Sequence, residues 1–115
     1  MTTLWISIIA FGLAATGGLT MLVLRLKDRM PPMPLAILHG VGAATGLVCL
    51  VLTVMGGHAP RLATYALVGF GVAALGGSYL FSMHLRDRIH PVPLILGHGT
   101  IAAVSFVLLL LAALR

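Results

Sequence analysis

Polar residues are gathered into three short breaks in this chain, and the sequence between them is almost continuously apolar. The apolar stretches cover about residues 4–26, 34–55, 63–83 and 93–114. Each is close to the ~20 residues that a helix needs to cross roughly 30 Å of hydrocarbon. The pattern therefore predicts four transmembrane helices. Pro34 and Pro93 open the second and fourth stretches, at positions where a missing N–H costs a helix nothing.

The breaks differ in kind. Lys27-Asp28-Arg29-Met30-Pro31-Pro32-Met33 and Arg86-Asp87-Arg88-Ile89-His90-Pro91-Val92 are basic, whereas 56–62 holds the single cation Arg61. By the positive-inside rule the first and third breaks are cytoplasmic, with Arg25, Lys27, Arg29, Arg86 and Arg88 voting for that side and Arg61 and Arg115 against it. Both termini then lie on the non-cytoplasmic side, in what is expected to be a bacterial inner membrane. Trp5 and Tyr65 fall at the outer interface, where amphipathic rings anchor. The first stretch lacks a basic leader and outruns a signal-peptide core, so it is expected to be a retained helix.

Composition sharpens the picture: 60% of the 115 residues are hydrophobic and 8% are charged, against roughly 25% charged in soluble domains. The +5 balance does not point to nucleic acid, because the cations punctuate apolar runs instead of forming a face. One cysteine, Cys49, leaves no intramolecular disulfide and no cysteine-based metal site.

Sliding the sequence along itself by 59 residues superimposes Gly12/Gly71, Ala14/Ala73, Gly17/Gly76, Gly18/Gly77, Asp28/Asp87, Arg29/Arg88, Pro34/Pro93, His39/His98 and Gly40/Gly99 without a gap. The single domain of 1–115 is thus a duplicated hairpin, with copies at about 4–55 and 63–114. An even number of spans per copy brings both in from the same side, related by a pseudo-twofold axis along the membrane normal. The expected fold is an all-α, up-down-up-down four-helix transmembrane bundle. Its second and fourth helices are diagonal, so His39 and His98 face each other.

Each of these histidines lies five residues past its proline, ~7–8 Å beneath the surface. Ionisable groups at such depth usually face the bundle interior and mark function. One explanation is an interhelical hydrogen-bond network among the imidazoles, Thr45, Ser105 and backbone. The other is a haem b, whose iron takes two axial nitrogens on one line and whose propionates seek cations at one edge. His84 aligns with Arg25 and His90 with Pro31, so there is no second matched pair and the natural count is one low-spin, bis-histidine haem. Small residues at matching height, Gly17, Gly18, Gly76 and Gly77, lie roughly 10–14 Å deep. Ala43 and Gly46, then Ala102 and Ser105, continue the stripe on the histidine face. Lys27, Arg29, Arg86 and Arg88 are the cations expected to meet propionates. His58, His84 and His90 are read as solvated, with contact to a propionate or a proton relay as the alternative for His84 or His90, and Tyr79 is read as a hydrogen-bonding group toward a helix or cofactor.

The arrangement resembles the four-helix core of membrane b-type cytochromes. The resemblance implies that His39 and His98 are axial ligands, that Gly17, Gly18, Gly76 and Gly77 are packing glycines, and that the protein carries single electrons to or from a quinone or redox protein. It covers most of the chain but rests on arrangement. Such proteins usually carry a second haem near the other face, where this chain has only His58. The competing classes are a structural or assembly subunit, which has no use for a matched histidine pair, and a small transporter. The second is disfavoured because the spans contain no Asp or Glu. Lipid and a second copy of the chain complete the expected partners.

Overall fold

The computed structural model describes residues 1–114 and contains four α-helices: α1 (Thr2–Leu26), α2 (Met33–Met55), α3 (Arg61–Leu85) and α4 (Val92–Ala113). Each matches a predicted stretch to within two residues at either end. All four are long and apolar enough to span a membrane. The chain is an integral membrane protein built as an all-α four-helix bundle 44 Å long. Of the two cations counted against the assigned orientation, Arg115 lies outside the described residues.

Helix α1 packs along α2, and α3 along α4, while α2 with α3 and α1 with α4 share shorter contacts. No Cα atoms approach within 8 Å across either diagonal. The molecule is therefore two hairpins facing each other across a seam. One end of the bundle, the basic end, carries the α1–α2 and α3–α4 loops, and the opposite, terminal end carries the two chain ends.

The two hairpin loops are built alike because the same residues recur in them. Helix α1 ends with Arg29 N–H on the Leu24 carbonyl (2.9 Å) and Asp28 N–H on that of Arg25 (3.0 Å), while α3 ends with Arg88 N–H on Met83 (2.9 Å) and Asp87 N–H on His84 (3.1 Å). This is a Schellman closure, and its left-handed residue is Asp28 (φ 56°) in one copy and Asp87 (φ 53°) in the other. The two aspartates thus serve to end their helices. Pro32 and Pro91, in extended backbone, then cap α2 and α4, with Pro34 and Pro93 in the first turn where no intrahelical donor is needed.

Outward faces carry large apolar side chains such as Leu13, Leu38, Leu75 and Val107, which meet the lipid bilayer. Three threonines on these faces are satisfied within their own helices: Thr16 bonds the Gly12 carbonyl, Thr20 that of Thr16, and Thr45 that of Val41. In hydrocarbon no water could serve them instead.

The packed core occupies the half of the bundle nearer the termini. Leu4, Leu50, Ala63, Ala66, Leu109 and Ala112 are completely buried. Buried Ser7 donates from α1 to the Gly46 carbonyl of α2 at 2.9 Å. At the inner limit of this core Phe11 of α1 and Phe70 of α3 stack across the seam, ring centroids 3.7 Å apart and planes within 2°. They are repeat equivalents and form a flat, symmetric plug. Room for it is made differently in the two copies. A Cβ on Gly46 would lie 2.9 Å from the Phe11 ring. The position equivalent to Gly46 is Ser105, and in that copy it is Gly69, aligned with Ala10, that yields, since a Cβ there would collide with the Ser105 side chain.

Candidate functional site

His39 is the seventh residue of α2 and His98 the seventh of α4, so the repeat sets them at one height on diagonal helices. Their imidazoles meet across the seam with centroids 6.2 Å apart and planes at 79°. Each is anchored within its own hairpin: His39 Nδ1 lies 2.7 Å from the Ala14 carbonyl of α1, and His98 Nδ1 2.8 Å from the Ala73 carbonyl of α3. A carbonyl only accepts, so Nδ1 carries the proton in both rings and Nε2 of each neutral imidazole is left as an acceptor. That tautomer is the one a metal-binding histidine adopts when its far nitrogen is fixed by backbone.

The glycines determine how closely the rings can lie on the neighbouring helix. A Cβ at Gly18 would come 3.0 Å from His39 Cε1, and one at Gly77 2.9 Å from His98 Cε1. Gly17 and Gly76 face the Cβ atoms of the same histidines at 3.6 and 3.8 Å, ordinary contact distances. These four residues thus seat the imidazoles themselves. Ala43 and Ala102, one turn beyond each histidine toward the termini, pack against the apolar core.

The histidines and the glycines beside them are less enclosed than the core. Gly17, Gly18, His39, Gly76, Gly77 and His98 are all only partly buried, although they lie between the closed core on one side and buried Met83, His84 and His90 on the other. Of the partners expected for an interhelical hydrogen-bond network, backbone is used by both imidazoles, whereas Thr45 and Ser105 bond carbonyls of their own helices. The 6.2 Å separation with planes at 79° suits an edge-to-face aromatic pair. Among the described residues no three His, Cys, Asp or Glu side chains converge, so a metal held here draws two ligands from the protein, as haem iron does. The donor set and its tautomers fit that group.

At the basic end the structure departs from expectation. Arg29 and Arg88, like Lys27 and Arg86, are exposed on the loops. The half-buried cation is Arg25, whose Nε donates to the His90 carbonyl at 2.9 Å across the seam while its NH1 lies 3.6 Å from exposed Asp28. Arg25 and Arg29 line a shallow cavity of about 230 Å³ with Asp28, Met30 and Ile89. His84 and His90, expected to be solvated, are buried (7% exposed each), with centroids 5.6 Å apart. His90 Nε2–H donates to the Leu80 carbonyl at 3.1 Å. Burial, followed by the charges of His84 and Arg25, holds the His90 imidazole below the usual histidine range despite that bond. His58 is exposed as expected. Tyr79 is 55% exposed on an outward face, so its ring meets lipid and not a cofactor.

The sequence does carry a signal for this second histidine pair. His84 and His90 stand where the first copy has Arg25 and Pro31, a difference between otherwise matched loops that marks what one copy does and the other does not. Comparison with family models, with curated proteins and with solved structures finds no match, and the functional reading therefore stands on this geometry.

Proposed function

We infer that the protein is a membrane b-type cytochrome that carries single electrons on one low-spin haem b held between His39 and His98. One observation carries this reading: two repeat-equivalent imidazoles on diagonal helices, each with Nδ1 tied to a backbone carbonyl and Nε2 left as acceptor, in a part of the seam that is only partly buried. Bound there, haem b supplies a one-electron couple at its iron.

The residues of the chain do the rest. The Ala14 and Ala73 carbonyls orient the imidazoles and raise their basicity as ligands. Gly18 and Gly77 let the rings lie close to α1 and α3, Gly17 and Gly76 accommodate the histidine stems, and Ala43 and Ala102 border the seat. The stacked Phe11 and Phe70 close the terminal side against water. Arg29 and Arg88, with Lys27 and Arg86, make the basic end positive, which favours two carboxylates there. His39 and His98 would both hold the group through nitrogen, so the reading is of an electron carrier and not a catalyst.

The bias of cations toward the basic end supports placing that end in the cytoplasm and both termini outside a bacterial inner membrane. A quinone or a redox protein at the basic end fits a haem nearer that face. A second copy of the chain fits the open glycines Gly40 and Gly99, which have no neighbour within 4 Å.

A second reading has one observation in its favour: the histidine–carbonyl bonds also staple α1 to α2 and α3 to α4, as a cofactor-free assembly subunit would need. Replacing the ligands separates the two. His39→Ala and His98→Ala are each expected to abolish haem retention or convert it to a high-spin spectrum, and His58→Ala to leave the spectrum of the parent protein. An unaltered spectrum in either ligand variant would refute the assignment.

A further inference from the structure

The basic end of the seam holds a group of residues that the axial site does not use. Arg25 and His84 occupy the same position in the two repeats, one in the last turn of α1 and the other in that of α3. Each lies seven residues beyond the glycine that touches an imidazole, Gly18 or Gly77, so it sits two turns away on the same helix face, ~10 Å nearer the loops. The two hairpins thus present one cation-forming side chain each, at equal depth, on the face that also seats a histidine.

We propose that Arg25 on one side of the seam and the His84–His90 pair on the other form a clamp for two carboxylates, the propionates of the haem inferred above. The proposal rests on that reading and adds the identity of the anchoring groups and their unequal chemistry. A guanidinium keeps its charge, whereas two imidazoles 5.6 Å apart disfavour a second charge, since like charges at that distance repel. Arg25 is fixed in place by its bond to the His90 carbonyl and retains NH donors beyond those facing Asp28. In the pair, His90 spends Nε2–H on the Leu80 carbonyl and keeps Nδ1. Buried His84 sets its ring beside that of His90. The groups facing the pair are few. Helix α1 brings Arg25, with Asp28 behind it; α3 and its loop bring exposed Arg86, Asp87 and Arg88; α2 and α4 carry no titratable side chains except Cys49 and the axial pair. The imidazoles of His84 and His90 are the proton-accepting rings buried at this end.

Reduction adds one negative charge to the seam, and a protonated imidazole beside a propionate favours it. The reduced protein accordingly holds the proton more tightly, and the midpoint potential falls as pH rises, toward a limit of ~59 mV for each tenfold change in proton concentration if one proton accompanies one electron.

The test is a potentiometric titration of the purified full chain between pH 5 and 9, loaded with haem b and, separately, with haem b dimethyl ester, whose propionates cannot ionise. The expected result is a falling potential with haem b and a flat one with the ester. With haem b, His84→Gln is expected to flatten the dependence while keeping the bis-histidine spectrum, and Arg25→Gln to keep the slope but weaken haem retention at all pH values. A slope that survives in the ester overturns the proposal, because the proton then follows the haem charge without a propionate partner. A flat profile in the parent protein with a normal spectrum overturns the clamp and leaves the haem reading standing. The absence of any bis-histidine spectrum ends both.

Discussion

At the residue scale, Gly18 and Gly77 are distinguished from their neighbours Gly17 and Gly76 by less than an ångström. A methyl group at Gly77 would press on His98 Cε1 at 2.9 Å, a distance that forces the ring to move, whereas one at Gly76 would meet His98 at 3.8 Å. The ring cannot shift without lengthening its 2.8 Å bond to Ala73. Gly77→Ala and Gly18→Ala are therefore expected to lower haem retention at least tenfold, about 1.4 kcal/mol or more, within the usual 1–3 kcal/mol cost of overpacking. Gly76→Ala and Gly17→Ala should retain haem as the parent does. Haem titration of the four variants decides it, and equal loss in all four would contradict the seating role.

His90 makes a second residue-level expectation. Its imidazole is held below the usual range chiefly by burial, so the folded protein keeps it neutral where the unfolded chain binds a proton. Stability from this residue is then fully present above pH ~6.5 and is lost as pH falls from there toward the depressed folded value. Unfolding midpoints of the cofactor-free protein in detergent should drop between pH 7 and 5, with His90→Gln removing most of that drop. A midpoint insensitive to pH in the parent would contradict this role of burial.

At the element scale, the two hairpins are locked together chiefly by a pair of aromatic rings. Phe11 and Phe70 stack at 3.7 Å across a seam whose helices otherwise touch over short stretches. Phe11→Ala removes the plug and half of its contacts. Its expected cost is about 3 kcal/mol, the lower end of the range for core phenylalanines, because lipid supplies no hydrophobic force and only packing is lost. Chemical unfolding in mixed micelles measures it, and a loss below ~1 kcal/mol would show that the seam is held elsewhere. Because the plug also floors the histidine seat, the same variant should admit water to the pair.

The elements themselves are legible in the sequence because apolar run length, basic breaks and prolines all fix helix ends by direct physical rules, and the duplication fixes His39 and His98 at one depth. The plug is not legible: Phe11 and Phe70 head the repeat match, but nothing in a linear pattern tells a ring stacked across a bundle from one facing lipid. The same blindness affects the charged residues. Arg29 and Arg88 are identical between copies and look like propionate partners, yet identity there serves the helix-ending turn, whose left-handed residue precedes each arginine. The inward cation Arg25 is inconspicuous because its counterpart is a histidine, and His84 and His90 read as solvated because they sit near a loop.

At the scale of the whole molecule, the bundle divides along its axis into a half with a completely buried apolar core and a half whose histidine pair and glycines are only partly buried. Completely buried Leu4, Leu50, Leu109, Ala63, Ala66 and Ala112 lie toward the termini, and the symmetric imidazoles, the glycines and the inward Arg25 lie toward the basic loops. Stability and ligation are thereby separated, so changes to the ligands should leave the packed half of the fold intact. A pseudo-twofold bundle also suits a cofactor that is itself close to twofold-symmetric, with one ligand and one acid-binding side chain from each repeat.

The most direct measurement is the absorption spectrum of the purified full chain, oxidised and then reduced, with haem quantified against protein. One haem b per chain is expected, with sharp reduced bands of a low-spin bis-histidine centre and no change on adding carbon monoxide, since neither axial position is open. A protein that folds, takes up no haem when it is supplied, and shows no such bands would contradict the cytochrome reading.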